Sequence, residues 1–405
     1  MGIKGLSRNV IKLAWREGHL SHLPAGTRVG VDGAGWLHKA CVANAMAICL
    51  HQPTSQHHQH FLRQLHQLLD VGLKVVLVFD GAEWPLRQVT SERRRHRAQR
   101  ALARAHEELE AGDRRRAESL FKQAVRVPAG FVGWVLHHVA GDGRVDVRVA
   151  NYEADAQLAE LQRAGHVDLV YSAAQDSDFL LYSGMRHIMY NVQKDGSYRV
   201  ISLADDVLGN VVGSFSFIGW NVTHFRAWCA ACGCDYVDNP KGWGAIKLHR
   251  LVSRNLGKSE RELLSLLAGC AEDASAYAVD LLAAVRSFQH HVVFRTGNDD
   301  TVSQVHLEPL PDAMGFTTFR ALDSSLSKAV YDGVLDPTTL QPRYIEGGTH
   351  SSTQRPAQPL AQHSRAKSFT HSAPHSAADA PWRCNGVACG AEWPASKEHC
   401  EARGS

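Results

Sequence analysis

The sequence lacks a long hydrophobic run. No uninterrupted apolar stretch reaches the ~18 residues that indicate a transmembrane helix. The opening residues, MGIKGLSRNV, also lack the basic segment followed by an apolar segment that is typical of a secretory signal. We therefore expect a chain that has no membrane as a partner.

Cysteine is present, but its pattern completes neither a zinc site nor a disulfide framework. Nine cysteines without a secretory signal indicate free thiols in a reducing compartment. Cys229, Cys232 and Cys234 form a CxxCxC cluster, yet no second CxxC and no pair of histidines stands nearby to complete four ligands. We interpret the cluster as part of a buried helix in which cysteine serves as a small apolar residue.

Acidic residues are scarce in one segment of an otherwise balanced chain. The net charge is only +3, but a single acid, Glu92, accompanies seven arginines at positions 87, 93, 94, 95, 97, 100 and 104. Arg93, Arg97, Arg100 and Arg104 are spaced by four, three and four residues, which places them along one face of a helix. We interpret this stripe as a phosphate-binding surface, and a solvated charged helix is the alternative.

Acids also recur where predicted strands end. TRVGVD, LKVVLVFD, VDVRVA and VDLVYSA are the four strands, and the last two flank a short predicted helix, EADAQLAELQRAG. The acids that end or follow these strands are Asp32, Asp80, Glu153, Asp155, Asp176 and Asp178. Strand-helix-strand units build parallel sheets, whose ligands bind at the carboxyl ends of the strands. We therefore predict an α/β fold with a mostly parallel central sheet, helices on both faces and a site at one sheet edge.

The clustered carboxylates predict a site for hard cations. Mg²⁺ and Mn²⁺ take oxygen ligands, and carboxylates about 5 Å apart would repel each other by ~3 kcal/mol per pair without such ions. Glu153 and Asp155 would point about 200° apart in the middle of a helix, so both can face one site only at its first turn. Two ions can promote phosphodiester hydrolysis, and the arginine stripe can bind the remaining phosphates. Metal-dependent hydrolysis of nucleic acid follows as a hypothesis.

The rest of the chain supplies helices and a polar tail. Residues 91–126 predict one or two exposed helices that break near Gly112, and HIMYNV and SYRVIS predict two strands joined by the turn QKDG. Helices follow through ERELLSLLAGC and YAVDLLAAVRSF. From about residue 345 the composition turns to Ser, Thr, Gln, His, Pro and Ala, so residues 345–405 are predicted to be disordered.

Six motifs resemble one family in order and spacing. MGIKGL, VGVDGAGWLHKA, LVFDG, NYEADAQLAEL, QDSDFLLYSG and GCDYVDNPKGWG are similar to the flap endonuclease and XPG superfamily of structure-specific 5′ nucleases, over residues 1–310. WLHK and YEADAQLA resemble its exonuclease 1 branch. The resemblance implies the PIN-like 5′-nuclease fold, with an N-terminal nuclease region (1–100), a helical arch (87–126), an internal nuclease region (127–220) and a helix-two-turn-helix region (221–310).

The resemblance also implies site residues and cofactors. Two Mg²⁺ ions, or Mn²⁺, would be held by Asp32, Asp80, Glu153, Asp155, Asp176, Asp178 and Asp235. Arg87 and Arg94 would steer the scissile phosphate from the base of the arch. DNA contacts would come from Gly2, His38, Lys39, Arg93, Arg97, Lys241, Gly242, Gly244 and Lys247, the last four from the helix-two-turn-helix region, where K⁺ is the implied ion.

The function implied by the resemblance is a Mg²⁺-dependent 5′ to 3′ exodeoxyribonuclease with 5′-flap endonuclease activity. We expect a nuclear monomer that acts on DNA with 5′ ends, nicks or flaps in repair, recombination or replication. The tail has no recognisable sliding-clamp motif, so neither a sliding clamp nor mismatch-repair proteins are expected partners. Two alternatives stay open, namely a flap or junction endonuclease of the same superfamily and a non-catalytic DNA-binding clamp. Ala34, where relatives carry an aromatic residue, and Trp243, where they carry a small aliphatic one, depart from the family pattern.

Overall fold

A computed structural model describes residues 2–172, 176–310 and 320–342. Its strands are β1 (Arg16–His19), β2 (Arg28–Asp32), β3 (Lys74–Phe79), β4 (Val145–Val149), β5 (Leu169–Tyr171), β6 (His187–Tyr190), β7 (Ser197–Ser202), β8 (Val211–Val212), β9 (Phe215–Ser216), β10 (Val292–Thr296) and β11 (Val302–His306). Its α-helices are α1 (Lys12–Ala14), α2 (Gly33–Val42), α3 (Ala45–Cys49), α4 (Gln56–Leu69), α5 (Gln88–Glu110), α6 (Arg114–Ala124), α7 (Phe131–Val139), α8 (Ala154–Arg163), α9 (Val222–Cys232), α10 (Ala245–Ser253), α11 (Glu260–Ala268), α12 (Ala274–Gln289) and α13 (Ser324–Tyr331).

A seven-stranded sheet in the order β1-β7-β6-β5-β2-β3-β4 forms the centre of the fold. The strands from β6 to β4 pair in parallel, whereas β7 and β1 are added antiparallel at the other edge. The strand β3 is buried from Val75 to Phe79, as its unbroken apolar sequence predicts. The prediction of an α/β fold with a mostly parallel sheet is confirmed. The strand β1, REGH, gave no strand signal because it is short and polar.

The helices α5 and α6 form a hairpin. Their turn contains Gly112, whose φ of 81° favours glycine, and Asp113 then caps α6 by accepting a hydrogen bond from Arg116 N at 2.9 Å. Small residues such as Ala101 and Ala105 are buried on the inner face of α5. The predicted break near Gly112 is confirmed, and the arginine-rich face of α5 stays open to solvent.

The helix α8 is buried on nearly all sides, whereas its sequence predicts a single apolar face. Gln157 explains part of the difference, because its side chain exchanges two hydrogen bonds with the backbone of Phe294 on β10, at 2.7 and 2.8 Å. Glu160 is buried between Arg163 and Arg295, each 2.6 Å away. These polar side chains fasten the β10–β11 hairpin over α8. Sequence periodicity assigns such residues to solvent because it does not detect their distant partners.

Further features follow from burial. Cys229 and Cys232 on α9 are buried free thiols, in agreement with the interpretation as small core residues. Within the ranges that the structure describes, no helix is long and apolar enough to cross a membrane. The predicted disorder of residues 345–405 lies outside the described residues.

Candidate functional site

Seven carboxylates meet at the carboxyl edge of the parallel strands. Asp32 ends β2, and the next five acids follow β3, β4 and β5; β3 and β5 flank β2 in the sheet, and β4 lies beside β3. Asp235 comes from the loop after α9. The charge of at least one other member raises the pKa of Asp32, Asp80, Asp155 and Asp178. These interactions connect the whole set of Asp32, Asp80, Glu153, Asp155, Asp176, Asp178 and Asp235. The structure therefore brings together the acids that the sequence singles out.

Local backbone geometry fixes several of these acids. Asp32 caps α2, because its Oδ2 accepts a hydrogen bond from Gly35 N at 3.0 Å. Asp80 Oδ1 accepts one from Ala154 N at 2.9 Å, so it ties the end of β3 to the start of α8. Glu153 is the residue before α8, and Asp155 lies in its first turn. The two acids thus stand at a helix entry, the position at which their spacing lets both face one site.

Burial and mutual repulsion disfavour the charged form of several carboxylates. Burial, followed by the charge of Asp80, raises the pKa of Asp32 to about 7. Burial, followed by the charges of Asp176 and Asp235, raises the pKa of Asp178 to about 7. Asp178 Oδ1 is also buried, and no described residue donates a hydrogen bond to it. Buried oxygens that repel one another and lack donors fit hard divalent cations, which supply the missing positive charge.

Glu153 is held differently, because both of its oxygens are occupied. Arg87 donates to Oε1 at 2.6 Å, whereas the phenols of Tyr182 and Tyr236 donate to Oε2 at 2.7 and 2.5 Å. Burial raises the pKa of Glu153, but Arg87, His291 and the two phenols lower it to about 2. The sequence analysis missed these tyrosines, because no local pattern links either of them to Glu153.

The two predicted phosphate-steering arginines reach the carboxylates from the start of the arch. Arg87 also lies 3.2 Å from Asp235, and Arg94 lies 2.5 Å from the same carboxylate. Thr90, one turn before Arg94, donates to the backbone oxygen of Asp235 at 2.5 Å. Arginines thus occupy Glu153 and Asp235. The described side chains contain no group of three His, Cys, Asp or Glu arranged around one metal position. The seven-acid metal set therefore stays a prediction.

The N-terminus lies against the segment that carries Asp176 and Asp178. Ile3 N donates to Ser177 Oγ at 2.8 Å, and a Cβ on Gly2 would lie 2.4 Å from that oxygen. Gly2 also has a φ of 136°, which favours glycine. The structure thus places Gly2 beside the site.

The helix α2, which begins at the site, carries three further residues of interest. His38 and Lys39 are exposed on this helix, and the charge of Asp176 acts on His38. Ala34 lies in the first turn and is half-buried. Both predicted DNA-contact residues of α2 therefore stand on the open surface beside the carboxylates.

The arginine stripe lines a groove along the outer face of α5. Arg93, Arg97 and Arg100 contribute to this groove together with His96 and Gln99. Arg93 also pairs with Asp238 at 3.1 Å. Arg93 and Arg94 thus find their acidic partners at Asp238 and Asp235 rather than among the acids next to them in sequence, which explains why local charge counting found none.

The predicted helix-two-turn-helix residues lie around the start of α10. Gly244 is the residue before α10, and Gly242 has a φ of 77° that favours glycine. Lys247 Nζ donates to the backbone oxygen of Gly242 at 2.8 Å, while Lys241 is exposed near Glu272. Trp243, the departure from the family pattern, packs partly buried against the main core. The turn is therefore held by its own lysine.

Comparisons with known proteins agree with this architecture. Residues 1–101 match the model of the XPG N-terminal domain, and residues 144–235 match that of the XPG I-region. Exonuclease 1 of Oryza sativa subsp. japonica is 28% identical, over 81% of this chain and 38% of the relative. Exonuclease 1 of Xenopus laevis is 31% identical, over 62% of this chain and 33% of the relative. The chain spans between a third and two fifths of these relatives.

A solved structure supports the fold. The catalytic core of Rad2 in complex with a DNA substrate superimposes with a TM-score of 0.50 at 18% identity, covering 77% of this chain and 91% of that one. Similarity at this level concerns architecture alone. The two domain matches and the curated relatives carry the assignment of the family: the chain belongs to the XPG/flap endonuclease superfamily of nucleases.

Proposed function

We propose that this protein is a Mg²⁺-dependent 5′ to 3′ exodeoxyribonuclease of the exonuclease 1 type that also cuts 5′ flaps. The observation that carries the proposal is the set of seven linked carboxylates beside Arg87 and Arg94 at one sheet edge. Hydrolysis adds water to the phosphorus, breaks the bond to the 3′ oxygen and leaves a 5′ phosphate on the product. Both halves of a phosphodiesterase site, metal ligands and phosphate-binding cations, are thus present in one place.

The carboxylates serve as the metal-binding half of the proposed site. When two Mg²⁺ ions are bound, they lower the pKa of a water and neutralise charge on the leaving oxygen. Mn²⁺ has the same ligand preference. By the family pattern, one ion would be held by Asp32, Asp80, Glu153 and Asp155, and the other by Asp176, Asp178 and Asp235, some of them through water.

Arg87 and Arg94 serve as the phosphate-binding half. A phosphate offers a guanidinium the same paired oxygens as a carboxylate, so each arginine can exchange part of its contact with Asp235 for the scissile phosphate. Glu153 keeps its hold on Arg87, since the two phenols fix its other oxygen. Arg87 is therefore oriented at the edge of the site. Arg94, which lies on α5, provides the second guanidinium for the phosphate.

The DNA path follows the exposed cations. Arg93 and Arg97 line the arch groove and would bind successive phosphates of the strand that is cut. Gly2, His38 and Lys39 stand beside the carboxylates and would contact the entering 5′ end, by similarity to the family. Lys241, Gly242, Gly244 and Lys247 would hold the uncut strand with a bound K⁺, by similarity to the family. DNA with 5′ ends, nicks or flaps is the substrate that suits this arrangement, in a nuclear, monomeric protein.

Digestion of a nicked duplex with and without EDTA tests the proposal. We expect a 5′-phosphorylated product in Mg²⁺, none in EDTA, and no cleavage by Asp178→Asn although that variant still binds the duplex. Mononucleotides released from a blunt or recessed duplex indicate the exonuclease, whereas longer fragments alone indicate a flap or junction endonuclease. Binding without Mg²⁺-dependent cleavage in the wild-type protein would instead identify a DNA-binding clamp.

A further inference from the structure

A column of aromatic rings joins α4 and α7. His58 on α4 stacks on Trp134 of α7, with ring centroids 4.0 Å apart and planes 7° from parallel. His138, one turn further along α7, stacks on the same indole at 4.3 Å and 24°. His57 and Phe131 each make a tilted contact with His58 and an edge contact with each other. His138 is exposed and Trp134 is only partly buried, so the column reaches solvent at this end.

The two chain stretches that carry this column contain no acids. From Gly33 to Leu69 the chain has no Asp and no Glu, and the same holds from Ser119 to Gly141. These two stretches contain α2, α3, α4 and α7. Both stretches keep basic residues, Lys39 and Arg63 in the first and Lys122 and Arg126 in the second. An excess of basic over acidic residues favours an anionic partner.

Cations connect the column with the carboxylate site. Lys39 follows His38 on α2, and the charge of Asp176 acts on His38. The charges of Arg63 and Lys39 both act on His60, which lies two residues after His58 on α4. A strand that leaves the carboxylates along this route would meet basic side chains first and stacked rings next.

We propose that the exposed end of this column, His138 backed by Trp134, is a stacking site for an unpaired nucleobase. The basic side chains of the two acid-free stretches bind the phosphates of the same single strand. Flat rings that accept any base, combined with cations that follow the backbone, are the features by which proteins bind single-stranded nucleic acid without sequence preference. The inference rests on the proposed function, because it assumes a nucleic-acid substrate, and it adds an unpaired segment held away from the reacting phosphate.

The test measures binding of the full-length protein to a 30-nucleotide oligothymidylate by fluorescence anisotropy at one fixed salt concentration. His138→Ala should weaken binding about fivefold, the low end for loss of one stacked base. His138→Phe keeps a ring and should bind as the wild type does. The matched control is His137→Ala, since His137 is exposed on the same turn and makes no ring contact among the described residues. It should leave the affinity unchanged.

Each other outcome is decisive. Equal weakening by His137→Ala and His138→Ala would mean that charge alone contributes to binding. An unchanged affinity in His138→Ala would mean that no base stacks on His138. Either result would overturn the inference. Photocrosslinking of the same oligonucleotide carrying 5-iododeoxyuridine should label an α7 peptide, and labelling confined to α5 would also overturn it. Mg²⁺-dependent cleavage of a nicked duplex is measured in parallel. If cleavage persists in these cases, the proposed function stands without the stacking site; if the wild type neither cleaves nor binds, both proposals fail.

Discussion

One guanidinium nitrogen of Arg94 lies 2.6 and 2.5 Å from the two carboxylate oxygens of Asp235. The arch and the loop after α9 are therefore joined at the edge of the carboxylate cluster. Arg87 makes a second junction, since it contacts both Glu153 and Asp235. Through these contacts Arg87 and Arg94 place positive charge directly against the acids at this edge, and the first prediction concerns Arg94.

Replacement of Arg94 should slow cleavage more than replacement of an arginine that lies further out on the arch. Arg94→Ala removes a positive charge next to the reacting phosphate, for which we expect a loss on the order of 100-fold in single-turnover rate. Arg94→Lys should recover part of the rate, because it restores the charge without the planar fork. Arg97→Ala is the matched control, since Arg97 lies on the same helix and in the outer groove. Equal rates for the Arg94→Ala and Arg97→Ala variants would contradict the assignment.

Removal of one buried carboxylate should reduce the rise in Tm that Mg²⁺ causes. Asp178 is buried near Asp176 and Asp235, so its charge opposes folding until a cation is bound. We expect Mg²⁺ to raise the Tm of the wild type. Asp178→Asn should have a higher Tm than the wild type in EDTA and a smaller rise with Mg²⁺. Asp280→Asn, on the exposed face of α12, should respond to Mg²⁺ as the wild type does, and a full Mg²⁺ response in Asp178→Asn would refute the role given to this acid.

A single methyl group on Gly2 should disturb the site. In Gly2→Ala the new Cβ would lie 2.4 Å from Ser177 Oγ and 2.7 Å from Ser177 N, between the two acids of that segment. Displacement of catalytic groups by about 1 Å can cost on the order of 100-fold in rate, so cleavage should fall while duplex binding persists. Gly257→Ala, whose Cβ would meet nothing within 4 Å, should cleave normally. A Gly2→Ala rate equal to that of the wild type would show that the N-terminus does not position the site.

The sequence alone was sufficient to predict the sheet and its acidic edge. Strands such as β3 are continuously apolar, and the acids that follow them need only the rule that parallel strands end at one edge. The spacing of Glu153 and Asp155 also predicted their position at the entry of a helix, which the structure reproduces.

The contacts that tune the site could not be predicted in this way. Tyr182 reaches Glu153 across 29 residues and Tyr236 across 83, and neither lies in a pattern that a local period would reveal. The ion pairs of Arg93 and Arg94 cross more than 140 residues. Polar partners that are distant in sequence become visible only when the fold brings them together, and this applies equally to the buried Gln157 on α8.

The ring column should make stability depend on pH. Burial, followed by the charges of His57 and His138, lowers the pKa of His58 from 6.5 to about 4. Between pH 6.5 and 4 the unfolded chain binds a proton at His58 that the folded protein does not bind. The contribution of neutral His58 to the free energy of unfolding is therefore complete above pH 6.5 and is lost as the pH falls towards 4. His58→Phe should therefore lose less stability than the wild type between these values, as measured by urea unfolding. His137→Phe, on the exposed turn of α7, should follow the wild-type curve; a His58→Phe curve parallel to that of the wild type would contradict the prediction.

Two buried tyrosines should differ in what their hydroxyls contribute. Tyr182 donates to the carboxylate of Glu153 at 2.7 Å, whereas Tyr190 donates to the backbone oxygen of Asp176 at 3.0 Å. A hydrogen bond to a charged acceptor contributes ~1.5 to 3 kcal/mol and one to a neutral acceptor ~0.5 to 1.5 kcal/mol. The free energy of unfolding in urea should therefore fall further in Tyr182→Phe than in Tyr190→Phe, and equal losses in the two variants would contradict a charged Glu153 in the folded protein. Because Glu153 orients Arg87, Tyr182→Phe should also slow cleavage, while Tyr190→Phe supplies the control with an intact Glu153.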